Sequence, residues 1–306
     1  MSFVAILFAL LLEQARPLGQ VNPIHNSMRG WVQWALRSFD TGRTHHGWLA
    51  WSVAVAVPAA LVCGIHWALV WTLGWVAAGV WSIVVLYATL GFRQFSHHFT
   101  AVRDALLAGD EELARQHLAA WMRKDLVALQ RSQIVRHVIA YSVIQAHRHV
   151  FGVFAWYSLL AALGLGPAGA VLYRVAEYLG RYANRQLLPL EANVSPSTQD
   201  IASAAWRAID WLPARLTALS FAFVGSFEEA IDAWRRQEAL HPGDSDGVIL
   251  AATAGAVNVQ LDDAQADTDA AVPQPGHLRA VVGLVWRTVV MWIVLLALLS
   301  LARMLG

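Results

Sequence analysis

Apolar and polar positions fall into long blocks along this chain, unlike the short alternations of a soluble domain. The stretch 1–12 is an apolar run about as long as a signal-peptide core, with no basic start and no small-x-small cleavage pattern. A retained, short membrane-entering helix is expected there. From 48 to 90 the chain is apolar apart from the CGIHW interruption. At about twenty residues per crossing, this predicts two transmembrane helices with a tight hairpin near Gly64–His66. The run 151–172 is broken by Gly164, Gly166, Pro167 and Gly169, which predicts a bent or re-entrant segment. The stretch 281–303 reads as a final transmembrane helix. The pattern implies an all-α, polytopic integral membrane protein with about four to five membrane-entering helices, one of them re-entrant if the Gly/Pro cluster turns it back.

The polar blocks carry helical periodicity. In 1–47, MRGWVQWALRSF sets Trp31, Trp34 and Leu36 on one side and arginines elsewhere, the pattern of an interfacial helix with snorkelling arginines. In the cytoplasmic block 91–150, Gly109 stops one helix and Asp110 caps the next, with Glu111 and Glu112 in its first turn. A third amphipathic helix places His137, Tyr141 and Arg148 along one side. In the core segment 151–262, Pro213 lies near the start of an apolar half-helix, 227–241 is amphipathic, and the small-residue stretch 251–261 forms a packed helix or strand. The loop 263–280 is acidic and low in bulky residues, as disordered surface loops are. All these blocks are expected to build one membrane domain over 1–306.

Composition agrees with the pattern. The chain is 57% hydrophobic and 14% charged, with 15 Trp, whereas soluble domains are about one quarter charged. The net charge of +1 gives no argument for a nucleic-acid partner. A lone Cys63 excludes a disulfide framework. Arginine excess in 13–46 and 91–150 places both on the cytoplasmic side, so a multi-pass protein of a bacterial inner membrane is expected, with the lipid bilayer as its first partner.

Three constellations could carry chemistry. The histidines His97, His98, His137, His147 and His149 lack cysteines or clustered carboxylates to complete a metal site, so they read as interfacial or core residues and no metal ligands are assigned. Of the acids near the second arginine-rich block, Asp110 to Glu112 are explained by helix capping, and Asp125 stands out as a candidate. Arg174, Glu177, Arg181, Asp210 and Arg215 flank apolar runs and could form buried Arg–carboxylate pairs. His147 and Arg148 sit at the mouth of the apolar run, where charge is costly unless it anchors or binds something. There is no Walker A loop and no HExxH.

Five segments, in order over roughly 20–262, resemble the CobD/CbiB family of membrane-embedded cobinamide-phosphate synthases, and also the related AmpE proteins. They are NPIHNSMRG (22–30); the block 101–129, with Gly109, Asp110, Ala114, Arg115 and Asp125; LGPAGAVLYR (165–174); IDWLPARLTAL (209–219); and AATAGAVNVQL (251–261). His25 and Arg29 match the early segment. The resemblance implies ATP- and Mg²⁺-dependent amide formation between a corrinoid carboxylate and aminopropanol phosphate. The departures are concentrated in acids. Where the synthases carry AEN..DG, the acid, amide and second acid fall on His147, Arg148 and Phe151, while Gly152 is kept. A later aspartate falls near Gly180, and an aspartate pair falls on Trp206 and Arg207.

Such a loss of acids removes metal-binding charge. The expected function is therefore a degenerate family member that binds or senses an anionic or phosphorylated small molecule, or a corrinoid. The residues expected to bind it are His25, Arg29, Arg115, His147, Arg148, Arg174, Arg181 and Arg215. The enzyme alternative is an active synthase using Asp125, Glu177 and Asp210 with ATP and Mg²⁺. A further alternative is a membrane scaffold without a ligand.

Overall fold

The computed structural model describes residues 2–16, 23–122, 129–184, 194–261 and 271–305, and among these it is helical throughout. Apart from an isolated bridge between Val259 and Ala271, they form no strand. The helices are α1 (Ser2–Ala15), α2 (Pro23–Phe39), α3 (Thr44–Thr89), α4 (Phe92–Leu107), α5 (Glu111–Met122), α6 (Arg131–Ala146), α7 (Gly152–Ala162), α8 (Ala168–Asn184), α9 (Pro196–Val224), α10 (Phe227–Leu240), α11 (Ser245–Val257) and α12 (Pro275–Leu305), with a π-helical turn at His147–Phe151. Contacts divide the chain into a first unit, residues 1–91, 148–213 and 300–306, and a second, residues 92–147 and 214–299.

Two helices, α3 and α12, are long and apolar enough to cross a membrane. In their most apolar windows only 22% and 33% of residues are buried, so these are not core helices of a water-soluble protein. They expose Leu61, Trp71, Val76, Val294 and Leu298. A continuous apolar surface of this kind needs a lipid solvent, and the chain is a helical membrane protein.

Within the first unit, α3 consists of two helical arms folded back on each other. Gly74 adopts φ 82° and ψ 179°, a conformation open only to glycine, and breaks the helix there. Trp81 Nε1 donates to the Val62 carbonyl at 3.2 Å, and the His66 ring hydrogen-bonds the backbone of Ala78. Both bonds span the reversal. The expected hairpin is present, but its turn is at Gly74 and not at Gly64–His66. His66 does not sit at the turn: it is buried, and it fits because Gly166 has no side chain, where a Cβ would lie 2.5 Å from the ring.

The broken apolar run 151–172 resolves into a helical hairpin of α7 and α8. The eleven residues of α7 rise about 16 Å, roughly half the hydrocarbon thickness. The connecting GLGPAG has the spacing of a nucleotide-binding loop, but it joins two helices and follows no strand, so it serves as a turn. Gly169 lets α8 approach the Trp156 carbonyl, where a Cβ would sit 2.0 Å away. Alanine-rich faces of α2, α3, α8 and α9 close the core around Ala35, Ala54, Ala176 and Ala202. In α2 the buried stripe is Val32, Ala35 and Leu36, and Trp34, which the periodicity had placed with Trp31 and Leu36, is 49% exposed.

Two prolines lie inside helices, Pro58 in α3 and Pro213 in α9. A proline has no N–H to offer the carbonyl four residues earlier. Those carbonyls belong to Ala54 and Ile209. Each is met by an indole from a neighbouring helix: Trp31 Nε1 donates to Ala54 O at 3.2 Å, and Trp156 Nε1 to Ile209 O at 3.0 Å. In an apolar setting the unpaired carbonyl would cost about 1–3 kcal/mol. At the start of α9, Ser195 donates to both Asp40 oxygens, from N at 2.8 Å and from Oγ at 2.6 Å, tying that helix to the end of α2.

In the second unit, Asp110 caps α5 as expected, accepting from Leu113 N at 2.9 Å. Arg131 Nη2 donates to the Leu106 carbonyl at 3.1 Å, linking α6 to α4. The stretch 251–261 is mostly the helix α11, packed against α10 at Gly255, where a Cβ would meet the Glu229 carbonyl at 2.3 Å. Of the loop expected over 263–280, residues 263–270 lie outside the described residues. Its end is ordered, since α12 begins at Pro275.

Trp156→Phe should lower stability by about 1–3 kcal/mol, because it strands the Ile209 carbonyl. Adding Pro213→Ala should recover most of that loss by restoring an N–H. Chemical unfolding of the single and double variants in detergent checks both; an undiminished loss in the double variant would contradict the pairing.

Candidate functional site

The polar interior of the first unit is built from the hairpin of α7 and α8, the π-helical turn and the first half of α9. Helical spacing on α8 puts Arg174, Glu177 and Arg181 in register at intervals of three and four residues. Glu177 is fully buried. Its Oε2 accepts from Arg181 Nη2 at 3.0 Å and from Arg174 Nη1 at 3.3 Å, and its Oε1 pairs with Arg181 Nε. Arg174 Nη1 also reaches the Arg148 carbonyl at 3.5 Å, and the Arg148 guanidinium lies close enough to act on Tyr173, Arg174 and Glu177.

Burial alone would push the Glu177 carboxyl up. The charges of Arg181, Arg174 and Arg148, with the Arg181 hydrogen bond, outweigh it and hold the group below the ordinary glutamate range.

A second carboxylate, Asp210 of α9, is buried and accepts from Tyr173 Oη at 2.8 Å. Burial first, then the charges of Asp210 and Glu177, raise the Tyr173 phenol well above its usual value, so it stays a proton donor. Tyr173 reaches Asp210 across Gly152, where a Cβ would lie 2.1 Å from the ring. This explains why glycine stands at that position. Tyr173 was not among the residues picked out from the sequence. The signal was there only as the neighbour of Arg174 in the LYR segment.

The remaining expected residues do not join this cluster. Arg29 is exposed on α2 and makes no ion pair or hydrogen bond among the described residues. His25 lies in α2, with its side chain outside the described set, and Asp125 lies outside the described residues altogether. The other three belong to the second unit. Arg115 pairs with Glu112 and donates to the Leu129 carbonyl at 3.3 Å. His147 is buried with Nδ1 2.9 Å from Thr217 Oγ1. Arg215 Nη2 contacts both oxygens of Glu238, at 2.8 and 2.9 Å. The histidines of α4 are likewise engaged, with His98 stacked on Trp121.

The Mg²⁺ implied by the family resemblance does not fit these residues. No group of three His, Cys, Asp or Glu side chains converges among the described residues. Glu177 is committed to arginines and Asp210 accepts from Tyr173.

The model of the family described as CobD/Cbib protein matches residues 3–181. The chain belongs to the CobD/CbiB family. The matched span holds Arg148, Tyr173, Arg174, Glu177 and Arg181. The cobalamin biosynthesis protein CobD of Stutzerimonas stutzeri (strain A1501) is 28% identical over 316 residues, covering 96% of each chain, so the likeness extends past Asp210 to nearly the full length. The protein of the same name from Chromobacterium violaceum is 30% identical over 188 residues, 58% of this chain and 54% of that one. A third, from Leptospira interrogans serogroup Icterohaemorrhagiae serovar copenhageni, is 30% identical over 197 residues, 62% of this chain and 58% of that one. No solved structure matches.

The lowered pKa of Glu177 makes stability depend on pH with a definite sign. Its stabilisation is complete above the ordinary glutamate value of 4.5 and is lost as pH falls below it towards the folded value. Glu177→Gln should cost about 3 kcal/mol near neutrality by leaving buried guanidinium charge uncompensated. It should also flatten the loss of stability below pH 4.5. Unfolding followed across acid pH in both proteins reads both effects.

Proposed function

We propose that this chain serves cobalamin biosynthesis by binding a phosphorylated small molecule at Arg148, Arg174 and Arg181 and joining it by an amide bond to a corrinoid carboxylate. The observation that carries the first part is the excess of guanidinium over carboxylate around Glu177, in a buried setting where charge is weakly screened. Arginine forks match phosphate oxygens in pairs, so the anion is held directly and not through a metal. The place in cobalamin biosynthesis is supported by the likeness to the cobalamin biosynthesis protein CobD that spans 96% of both chains, and the amide bond is what the resemblance to the cobinamide-phosphate synthases implies. In this scheme the arginines grip and orient the phosphate. With the corrinoid carboxylate activated by ATP as an acyl phosphate, the amine nitrogen would form the C–N bond, the C–O bond to phosphate would break with inorganic phosphate leaving, and Asp210, oriented by Tyr173, would take the proton that the amine loses.

A second reading has an observation of its own. Both candidate carboxylates already have internal partners, Glu177 two arginines and Asp210 a tyrosine. That favours a protein that binds the same phosphorylated ligand, or a corrinoid, without joining them. In either reading the chain is a multi-pass protein of the bacterial inner membrane. Arginine excess in 13–46 and 91–150 supports a cytoplasmic position for both.

Purified protein in lipid, supplied with a corrinoid acid, aminopropanol phosphate, ATP and Mg²⁺, should form the amide, detected by mass spectrometry. Arg174→Gln and Arg181→Gln should each raise the KM for aminopropanol phosphate about tenfold or more. Asp210→Asn should lower kcat by about 100-fold. Binding of the phosphate ester without any product would establish the second reading.

A further inference from the structure

We propose that Glu177 is a built-in competitor for the anion site. Its carboxylate holds Arg174 and Arg181 in the arrangement that a phosphate dianion takes over, so the site favours dianionic phosphate esters over monoanions. This rests on the anion-binding reading above and adds what the site discriminates.

The geometry supports it in three respects. First, both Glu177 oxygens are engaged by guanidinium groups, Oε2 by Nη2 of Arg181 at 3.0 Å and Nη1 of Arg174 at 3.3 Å, and Oε1 by Nε of Arg181. A carboxylate and a phosphate present the same oxygen pair to such a fork, so one can replace the other without moving the arginines. Second, access is one-sided. The Arg181 side chain is 29% exposed, while those of Arg174 and Glu177 are 8% and 0% exposed, so an incoming anion meets Arg181 first. Third, a carboxylate released by Arg181 still faces a cation, because Arg148 also acts on Glu177.

The selectivity follows from charge. A monoanion displacing Glu177 exchanges one negative charge for another and gains little. A dianion brings a second charge into a cluster that contains three arginines, where weak screening enlarges the difference. Glu177 therefore sets a threshold that an ordinary carboxylate metabolite does not pass.

Isothermal titration calorimetry on the full chain in nanodiscs of zwitterionic lipid tests this with methyl phosphate and dimethyl phosphate at pH 8. The wild type should bind methyl phosphate at least tenfold more tightly than dimethyl phosphate, and Arg181→Gln should abolish binding of both. Glu177→Gln should bind methyl phosphate at least tenfold more tightly than the wild type and narrow the gap between the two esters. Arg181-dependent binding of methyl phosphate that is as tight in the wild type as in Glu177→Gln, or tighter, would overturn the competitor role and leave the anion site standing. Absence of binding to both wild type and Glu177→Gln would overturn the anion site itself. Where Glu177→Gln fails to fold, the wild-type ratio decides: equal affinity for the two esters overturns the proposal.

Discussion

Glu177 has no exposed surface, and a lone carboxylate in such a place would give up its charge. It keeps that charge because α8 presents an arginine three residues before it and another four residues after it, each within reach of the carboxylate. Much of the polar interior of the first unit follows from this. Arg174 is held against the Arg148 carbonyl of the π-helical turn, and Tyr173, its neighbour, is turned towards Asp210. Closeness between α7 and α8 is a condition of the arrangement, and glycines at 152 and 169 meet it by leaving room for a tyrosine ring and a backbone carbonyl.

The same constraint, that every buried polar group needs a partner, governs the apolar segments. Pro58 and Pro213 each deprive one carbonyl of its helical bond, and Trp31 and Trp156 each supply the missing donor. Tryptophan suits this task because its indole carries a single donor on a large apolar body. Some of the tryptophans in this chain are thus not interface anchors but internal hydrogen-bond donors. Trp156 also ties the Ile209 carbonyl, next to Asp210, to the hairpin that carries Tyr173 and Arg174, so backbone repair and site geometry share the same elements.

The chain is a member of the CobD/CbiB family, and the phosphorylated ligand proposed for it rests on the charge of the cluster around Glu177. The acids expected of a metal-dependent synthase are few among the described residues, and the two that are buried here have partners of their own. Direct recognition by arginine is the chemistry that these side chains offer, and the threshold proposed for Glu177 would act on it.

The sequence by itself determined the class of the protein. Blocks of apolar residues longer than any soluble element predict membrane helices, and Gly109 followed by Asp110 marks a helix stop and cap that the structure reproduces. These are local signals, set by composition and by the period of one helix. Only the tertiary structure decided which charged residues meet. Arg148, Arg174, Glu177, Arg181 and Asp210 lie in one unit, whereas Arg115, His147 and Arg215 belong to the other with partners of their own. It also moved the reversal of α3 to Gly74 and brought Tyr173 to Asp210. The reason is physical: such contacts depend on how helices rotate and pack against segments far away in the chain, and the spacing within a single helix carries no record of that.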